Sequence, residues 1–327
     1  MKNAVFIDWL TASQHHPEGG LPVITGGIIV FYDERGCVRS ERNCATSHAG
    51  SYDTSVRISC DGFRVSLSGN VGRFGRKDNL FNFGWDETRE AVNRILSGAG
   101  LPIFTASRLL PSGETQRGAV VSRLDITANF ATGSESQARA AIRGIGSRNI
   151  SRMKKGTATD ESVWYANSRS MLKAYIKHLE LEHHGTQKTD ESYIYAKQNG
   201  IVRLECEIKK RILSELKMND WDDITQEKLE ELFTEQTAPF RSFDRSDEPD
   251  LLDSIPARSR VYASAWLAGQ DLSATCSRAT LFRHARVLRE HGLDIFAPRN
   301  VTTFPVKVRI VDLVALQAPE WYWKSAA

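Results

Sequence analysis

Ala119-Val-Val-Ser-Arg-Leu-Asp-Ile-Thr-Ala-Asn-Phe130 alternates apolar and polar side chains. Successive side chains of an extended strand point to opposite faces. Val120, Leu124, Ile126 and Phe130 therefore share one face, and Arg123, Asp125, Thr127 and Asn129 share the other. A second stretch, Ile201-Val-Arg-Leu-Glu-Cys-Glu-Ile-Lys209, sets Val202, Leu204, Cys206 and Ile208 against Arg203, Glu205 and Glu207. Two strands with one apolar face and an Arg-x-acid pattern on the other predict an α+β fold. Its core is an antiparallel β-sheet that carries the site, with helices on one face, followed by a C-terminal helix-turn-helix-like portion ending in a strand. If both polar faces belong to one sheet, Asp125 and Glu205 are placed to hold a divalent cation through hard oxygen ligands, and Arg123 and Arg203 to meet phosphate. The same pattern also fits exposed cross-strand ion pairs, contributing about 0.2–1 kcal/mol each.

Between these strands lies Ser162-Val-Trp-Tyr-Ala-Asn-Ser-Arg-Ser-Met-Leu-Lys-Ala-Tyr-Ile-Lys-His-Leu-Glu-Leu-Glu182. It places the phenol of Tyr175 between Lys173 and Lys177, with His178, Glu180 and Glu182 just downstream. A nucleophile, phosphate-holding cations and metal ligands then fall within a few residues, a combination suited to phosphoryl transfer. A tyrosine, with a pKa of about 10, needs a base, a cation or a metal before it attacks at neutral pH. As a strand, the segment puts His178, Glu180 and Glu182 opposite Tyr175; as a helix, it makes Tyr175 and His178 neighbours. Packed core tyrosines are the plainer explanation of such a segment, and Tyr165, Tyr193 and Tyr195 compete for the nucleophile's role.

The flanking chain adds partners for that chemistry. Ala4 to Thr11 reads as an opening strand, and Ile28–Tyr32, Ser55–Ser59 and Phe63–Ser68 as further strands. Asp86 to Leu96 reads as a helix with Ala91, Val92, Ile95 and Leu96 inward. Gly69 to Gly84 is rich in glycine, arginine and aromatics, a composition that suits close approach to phosphate and stacking on bases. It lacks the GxxxxGK[ST] order of a nucleotide-binding loop, so no nucleotide cofactor is assigned. Arg139 through Lys177 holds nine basic residues, Lys154, Lys155 and Arg169 among them, against Asp160 and Glu161, an electrostatic footprint for a polyanion. Leu213 to Asp253 reverses the sign, with thirteen acids against four basic residues, and reads as a junction. Ser277 then caps a helix whose expected buried stripe is Leu281, Phe282, Ala285 and Leu288. Arg278, Arg283 and Arg286 project outward, as in a DNA-reading helix. Pro305 to Leu313 reads as a closing strand and Trp321-Tyr-Trp323 as a packing latch. The divisions expected are a catalytic domain over 1–212, an acidic helical linker over 213–257 and a DNA-binding portion over 258–327.

At 327 residues, with 41% hydrophobic and 25% charged residues, the chain has material for a sizeable core. Its net charge of +3 names no partner. Five cysteines without a CxxC pair argue against a disulfide framework or a structural zinc site. No apolar run suggests a leader or a membrane span, so a cytoplasmic protein without membrane contact is expected.

Taken together, SRLDIT, LKAYIKHLELEHH, IVRLECEIKKR, SRATLFRHARVLREHGLDI and PEWY resemble the filamentous-phage replication initiators, the gene-two/gene-ten family, over roughly residues 119 to 323. The tyrosine within LKAYIKHLEL is the most specific element. The resemblance implies a rolling-circle initiator. Such a protein nicks one strand of the double-stranded replicative form at the origin, stays attached through a 5′-phosphotyrosine and rejoins the displaced single strand in the host cytoplasm. It implies Tyr175 as nucleophile, Lys173 and Lys177 as its cations, and Asp125, Glu205 and Glu180 as ligands of Mg2+ or Mn2+, with His178 a further candidate. Origin DNA, a host helicase and a host polymerase are the implied partners. The His-hydrophobe-His motif of the wider group of rolling-circle nickases is missing. A tyrosine recombinase is disfavoured because no histidine is followed by arginine at the third position. A non-catalytic origin-binding regulator is the alternative of a different class.

Overall fold

The two alternating stretches lie side by side at the centre of a nine-stranded antiparallel sheet. The computed structural model describes residues 3–241, 255–267, 270–291, 293–296 and 315–325. The sheet runs, from one edge, through β10 (Lys154–Lys155), β11 (Ser162–Ala166), β12 (Ser170–Ile176), β13 (Ile201–Lys209), β9 (Val120–Ala131), β1 (Val5–His15), β6 (Arg64–Gly69), β5 (Ser55–Cys60) and β4 (Thr46–Ala49). Two separate ribbons pair β2 (Ile28–Tyr32) with β3 (Val38–Asn43) and β7 (Arg108–Leu109) with β8 (Thr115–Gln116).

One sheet face is mainly apolar. Leu10, Leu67, Leu124, Ile126, Leu172, Ala174, Val202, Leu204 and Cys206 bury there against α1 (Trp85–Gly98), α2 (Glu135–Gly146), α5 (Lys210–Glu215) and α6 (Gln226–Arg241). Burial of this area is the main driving force for the fold. The amphipathic pattern of α1 is as expected, with Ala91, Val92, Ile95 and Leu96 inward. The stretch 213–257, expected to be a linker, is corrected over its described part. Leu213, Trp221, Leu229, Leu232, Phe233 and Phe240 belong to the main core, and the acids Glu227, Glu230, Glu231 and Glu235 form the wet side of α6.

The expectation of helices on one face also needs amendment. At the Phe6 and Ile201 end, the polar face is covered by the loop 70–84, α3 (Lys177–His183), α4 (Glu191–Gln198) and α10 (Glu320–Ser325), through Leu80, Phe81, Leu181, Ala196 and Tyr322. The remainder of that face is open. A separate small core joins α7 (Ala257–Leu267), α8 (Leu272–Thr275) and α9 (Arg278–Glu290) through Ala263, Leu272, Leu281, Ala285 and Leu288. Ser277 caps α9 by accepting from the Thr280 backbone N–H. Phe282, expected inward, is 51% exposed, and His284 takes the buried place, bonded to Ser259 Oγ at 2.9 Å and stacked on Tyr262 at 4.0 Å. The expected strand Pro305–Leu313 lies outside the described residues. No described helix is long and apolar enough to cross a membrane.

Candidate active site

Tyr175 is the penultimate residue of β12, and Lys177 opens α3, so the segment is a strand that turns into a helix. Alternation sends Leu172, Ala174 and Ile176 into the core and Lys173 and Tyr175 onto the polar face. Across the ladder Tyr175 pairs with Arg203 and Lys173 with Glu205. The Tyr175 hydroxyl donates a short hydrogen bond to Glu205 Oε1, and Lys173 Nζ lies 3.5 Å from Glu205 Oε2. A phenol, a carboxylate and a half-exposed ammonium thus meet across two strands.

Arg203 is fully buried beneath them. Its Nε donates to Asn129 Oδ1 at 2.9 Å, and Nη2 donates to the carbonyls of Asn79 and Leu80, both at 2.6 Å. Its remaining Nη1 points to Asp8 Oδ2 at 3.9 Å. Lys177 is also 0% exposed, donating to Asn79 Oδ1 at 2.8 Å and Glu180 Oε2 at 2.5 Å, with Nζ 5.9 Å from the Tyr175 ring centre. These two cations act on the phenol through space and cannot touch DNA.

Asp8 is the member that alternation misses. The register of β1 against β9 slips between Ile7 and Trp9, a bulge that turns Asp8 onto the polar face. The Nδ2 atoms of Asn70, Asn79 and Asn82 donate to Asp8 Oδ1 at 2.8, 3.2 and 3.3 Å. A signal was present in the chain: buried residues run Val5, Ile7, then Leu10 and Ala12, so their parity flips across Asp8. The loop 69–84, read as a phosphate-approaching segment, serves as the wall that supplies these three asparagines.

The electrostatics follow from crowding. Burial, and then the charge of Glu205, push the Tyr175 phenol well above its ordinary value, against the opposing pull of Arg203. Burial and then Asp8 likewise raise Glu205. For Asp8, burial works in the same upward direction but is outweighed by Arg203, Lys177 and the asparagine amides, so its carboxyl is held below the usual range. For Glu180, burial again works upward and is outweighed, chiefly by Lys177, so this carboxyl too is held low. Burial and Arg203 pull Lys177 down. Asp8, held low, therefore faces a Glu205 pushed up, with the phenol donating to Glu205 beside them.

The other expected site residues are distributed differently. Asp125 pairs across the ladder with Glu207, not Glu205, and Arg123 clamps it at 2.8 and 2.7 Å while also reaching Glu207 at 3.0 Å. His178 lies on the α2 side, Nε2 3.3 Å from Glu135 and its ring edge-on to Tyr193; burial keeps it below its ordinary pKa and thus neutral. Glu180 faces the site but is tied to Lys177. Asp125, Glu180, Glu205 and His178 accordingly do not converge, and no three acids, histidines or cysteines among the described residues form a metal-holding group. Asp8 and Glu205 are the carboxylates that press on one another here, the charge of Asp8 opposing ionisation of Glu205. Mg2+ needs only one or two carboxylates beside waters and substrate phosphate.

Of the arginines and lysines expected on DNA, Arg203 is excluded by its burial and Arg123 is occupied by its two acids. Arg169 is paired with Glu215, and Lys155 donates to the Gly146 carbonyl at 2.6 Å. Lys154, Arg278, Arg283 and Arg286 are exposed. The competing tyrosines sit elsewhere. Tyr165 donates to the carbonyls of Ile145 and Arg148, both at 2.9 Å, Tyr193 donates to Glu182 at 3.3 Å, and Tyr195 packs on Phe81 and Trp321. The expected latch is present: Tyr322 donates to Asp78 Oδ1 at 2.7 Å or the Phe81 carbonyl at 3.0 Å, accepts from Arg76 at 2.8 Å, and Arg76 lies over the Phe83, Tyr322 and Trp323 rings.

Comparison with known proteins matches residues 6–227 to the N-terminal family of the gene-two replication-associated protein. Residues 255–326 match the C-terminal family of the same protein. The gene-two replication-associated protein of Escherichia phage If1 is 27% identical over 315 residues, spanning 82% of this chain and 97% of the relative. The first match contains every side chain that surrounds Tyr175, and the second contains both the α7–α9 core and Tyr322, so the chain belongs to the family of gene-two replication-associated proteins.

Proposed function

We propose that this protein initiates rolling-circle replication by nicking one strand of phage double-stranded DNA at the origin and later rejoining the displaced strand. The observation that carries the reading is the hydrogen bond from the Tyr175 hydroxyl to Glu205, set among Lys173, Arg203 and Asp8 on an open sheet face. Tyr175 Oη attacks a backbone phosphorus while its proton passes to Glu205. The P–O3′ bond breaks, the 3′-oxygen takes a proton from solvent, and a 5′-phosphotyrosine remains. Lys173, partly exposed and beside Glu205, is the cation that meets the phosphate. Arg203 and Lys177 act from beneath, lowering the cost of phenolate formation in a water-poor setting. Mg2+ or Mn2+ held by Asp8 and Glu205 would withdraw charge from the phosphate oxygens. Rejoining reverses the same steps with a 3′-hydroxyl as nucleophile, so the phosphotyrosine bond replaces ATP as the energy source. Unwinding and synthesis fall to a host helicase and polymerase.

The test is covalent attachment. Incubation with supercoiled DNA carrying the origin and Mg2+ or Mn2+, followed by a denaturing gel, is expected to show a protein–DNA adduct. Tyr175→Phe is expected to lose the adduct while keeping DNA affinity within about twofold. An adduct that survives Tyr175→Phe would refute the nucleophile assignment, and specific binding without cleavage in either metal would refute the nickase reading.

A further inference from the structure

Trp164 is a large aromatic side chain left 40% exposed beside the reacting phenol. On β11 its neighbours Val163 and Tyr165 are buried toward the helices, so alternation places Trp164 on the polar face. It pairs directly with Lys173, and the adjoining register pair is Ser162 with Tyr175, which makes Trp164 and Tyr175 diagonal neighbours. Diagonal positions on one sheet face lie about 7–8 Å apart. On its other side Lys154 pairs with Ala166, again diagonal to Trp164 on the same face. An indole between two lysines, one nucleotide's reach from the nucleophile, has no role in the reading above.

The indole is also held in place. Gly156 donates its N–H to the Trp164 carbonyl at 2.9 Å. A Cβ at Gly156 would fall 1.9, 2.1 and 2.4 Å from three ring atoms of Trp164. Three ring atoms at near-equal distance describe a ring lying face-on over the glycine Cα. One face rests on backbone, and the indole's exposed surface borders the open sheet face. Paired bases are inaccessible to such a surface, whereas an unpaired base stacks on it whatever its identity.

We propose that Trp164 is a stacking platform for an unpaired base next to the phosphate attacked by Tyr175, with Lys173 and Lys154 following the backbone on either side. The ligand is single-stranded DNA. Its location next to the reacting phosphate rests on the nickase reading; the stacking itself does not. In a Tyr175→Phe background, fluorescence anisotropy with labelled (dT)20 and with a duplex of the same length separates the contributions. Base–aromatic stacking is worth about 1–3 kcal/mol per base, so Trp164→Ala is expected to weaken (dT)20 binding about 5- to 100-fold. Duplex affinity should stay within about twofold, and the salt slope should not change, because no charge is removed. Trp164→Phe should recover most of the loss, and Gly156→Ala, which displaces the indole, should reproduce it. Unchanged (dT)20 affinity in Trp164→Ala, or equal losses for single strand and duplex, would overturn the proposal. Absence of any adduct with the Tyr175 protein, alongside a Trp164-dependent (dT)20 affinity, would instead remove the nickase reading and leave the stacking site standing.

Discussion

In the proposed reaction Glu205 takes the phenol proton and, with Asp8, would hold the cation, and both roles require it ionised. Burial and Asp8 raise its pKa above the ordinary value of about 4.3. The rate of adduct formation is therefore expected to fall with decreasing pH already above the range in which surface carboxylates titrate. Glu205→Gln should remove that acid limb and slow adduct formation about 10²- to 10⁴-fold, the usual range for a lost acid–base group; a pH–rate profile of both proteins checks this. Lys173 and Lys177 look equivalent in their spacing from Tyr175, and only the structure distinguishes them, since Lys177 is buried and Lys173 is half-exposed. Asp8 escaped because period-2 alternation assumes an unbroken ladder. His178 was misplaced because β12 gives way to α3 directly after Ile176, and the helical turn swings the imidazole to α2. At α9 the apolar count favoured Phe282 over His284, but Ser259 and Tyr262 offer the imidazole a hydrogen bond and a ring, while Phe282 meets Arg278 and Phe296 outside.

The loop 69–84 has no regular element of its own, so its order comes from what it touches. Asp78 is fixed by Ser192 Oγ at 2.6 Å, by the Leu80 N–H at 2.9 Å and by Tyr322, and the adjacent Asn79 bridges Lys177 and Asp8. Burial alone would raise Asp78, but the hydrogen bonds from Ser192, Leu80 and Tyr322 leave it below the usual range. A depressed carboxylate contributes stability that is present at neutral pH and lost as pH falls through its folded-state pKa. Tyr322→Phe should therefore cost about 1–3 kcal/mol at pH 7, read as a lower urea midpoint, and acid destabilisation should begin at higher pH than in the parent. The latch was visible as an aromatic cluster; its partners were not, because a loop and a helix so distant in sequence share no periodic signal. The acidic run 213–253 misled in the opposite way. Within its described part, Glu227, Glu230, Glu231 and Glu235 are the solvent side of α6, and Leu229, Leu232, Phe233 and Phe240 fall at helical spacing into the core.

Under the proposed function two kinds of surface would meet DNA: the sheet face on which Lys173 and Lys154 stand beside Trp164, and α9 with Arg278, Arg283 and Arg286 exposed. Much of the basic excess over 139–177 is internally neutralised, Arg139 by Glu135, Asp160 and Glu161, and Arg169 by Glu215. Composition counts charge and cannot count pairing. Replacing the three α9 arginines by alanine is expected to reduce the slope of log K against log salt on duplex DNA by about 2–3. The thermal midpoint should stay unchanged and (dT)20 binding should vary little, which titrations at several salt concentrations will show. The α+β class and the central strands were readable from alternation; the covered end of the polar face was not, since it is built by segments scattered along the chain. One of those contacts also sets a sequence of events in time. Tyr322 reaches Asp78 across 244 positions. On a ribosome adding about 5–20 residues per second, Tyr175 and Glu205 exist roughly ten seconds before the tyrosine that steadies their asparagine wall. Under the proposed function, a nascent chain would lack the contact that steadies its reacting groups until α7–α9 have also been made, and cutting would be deferred to the finished protein.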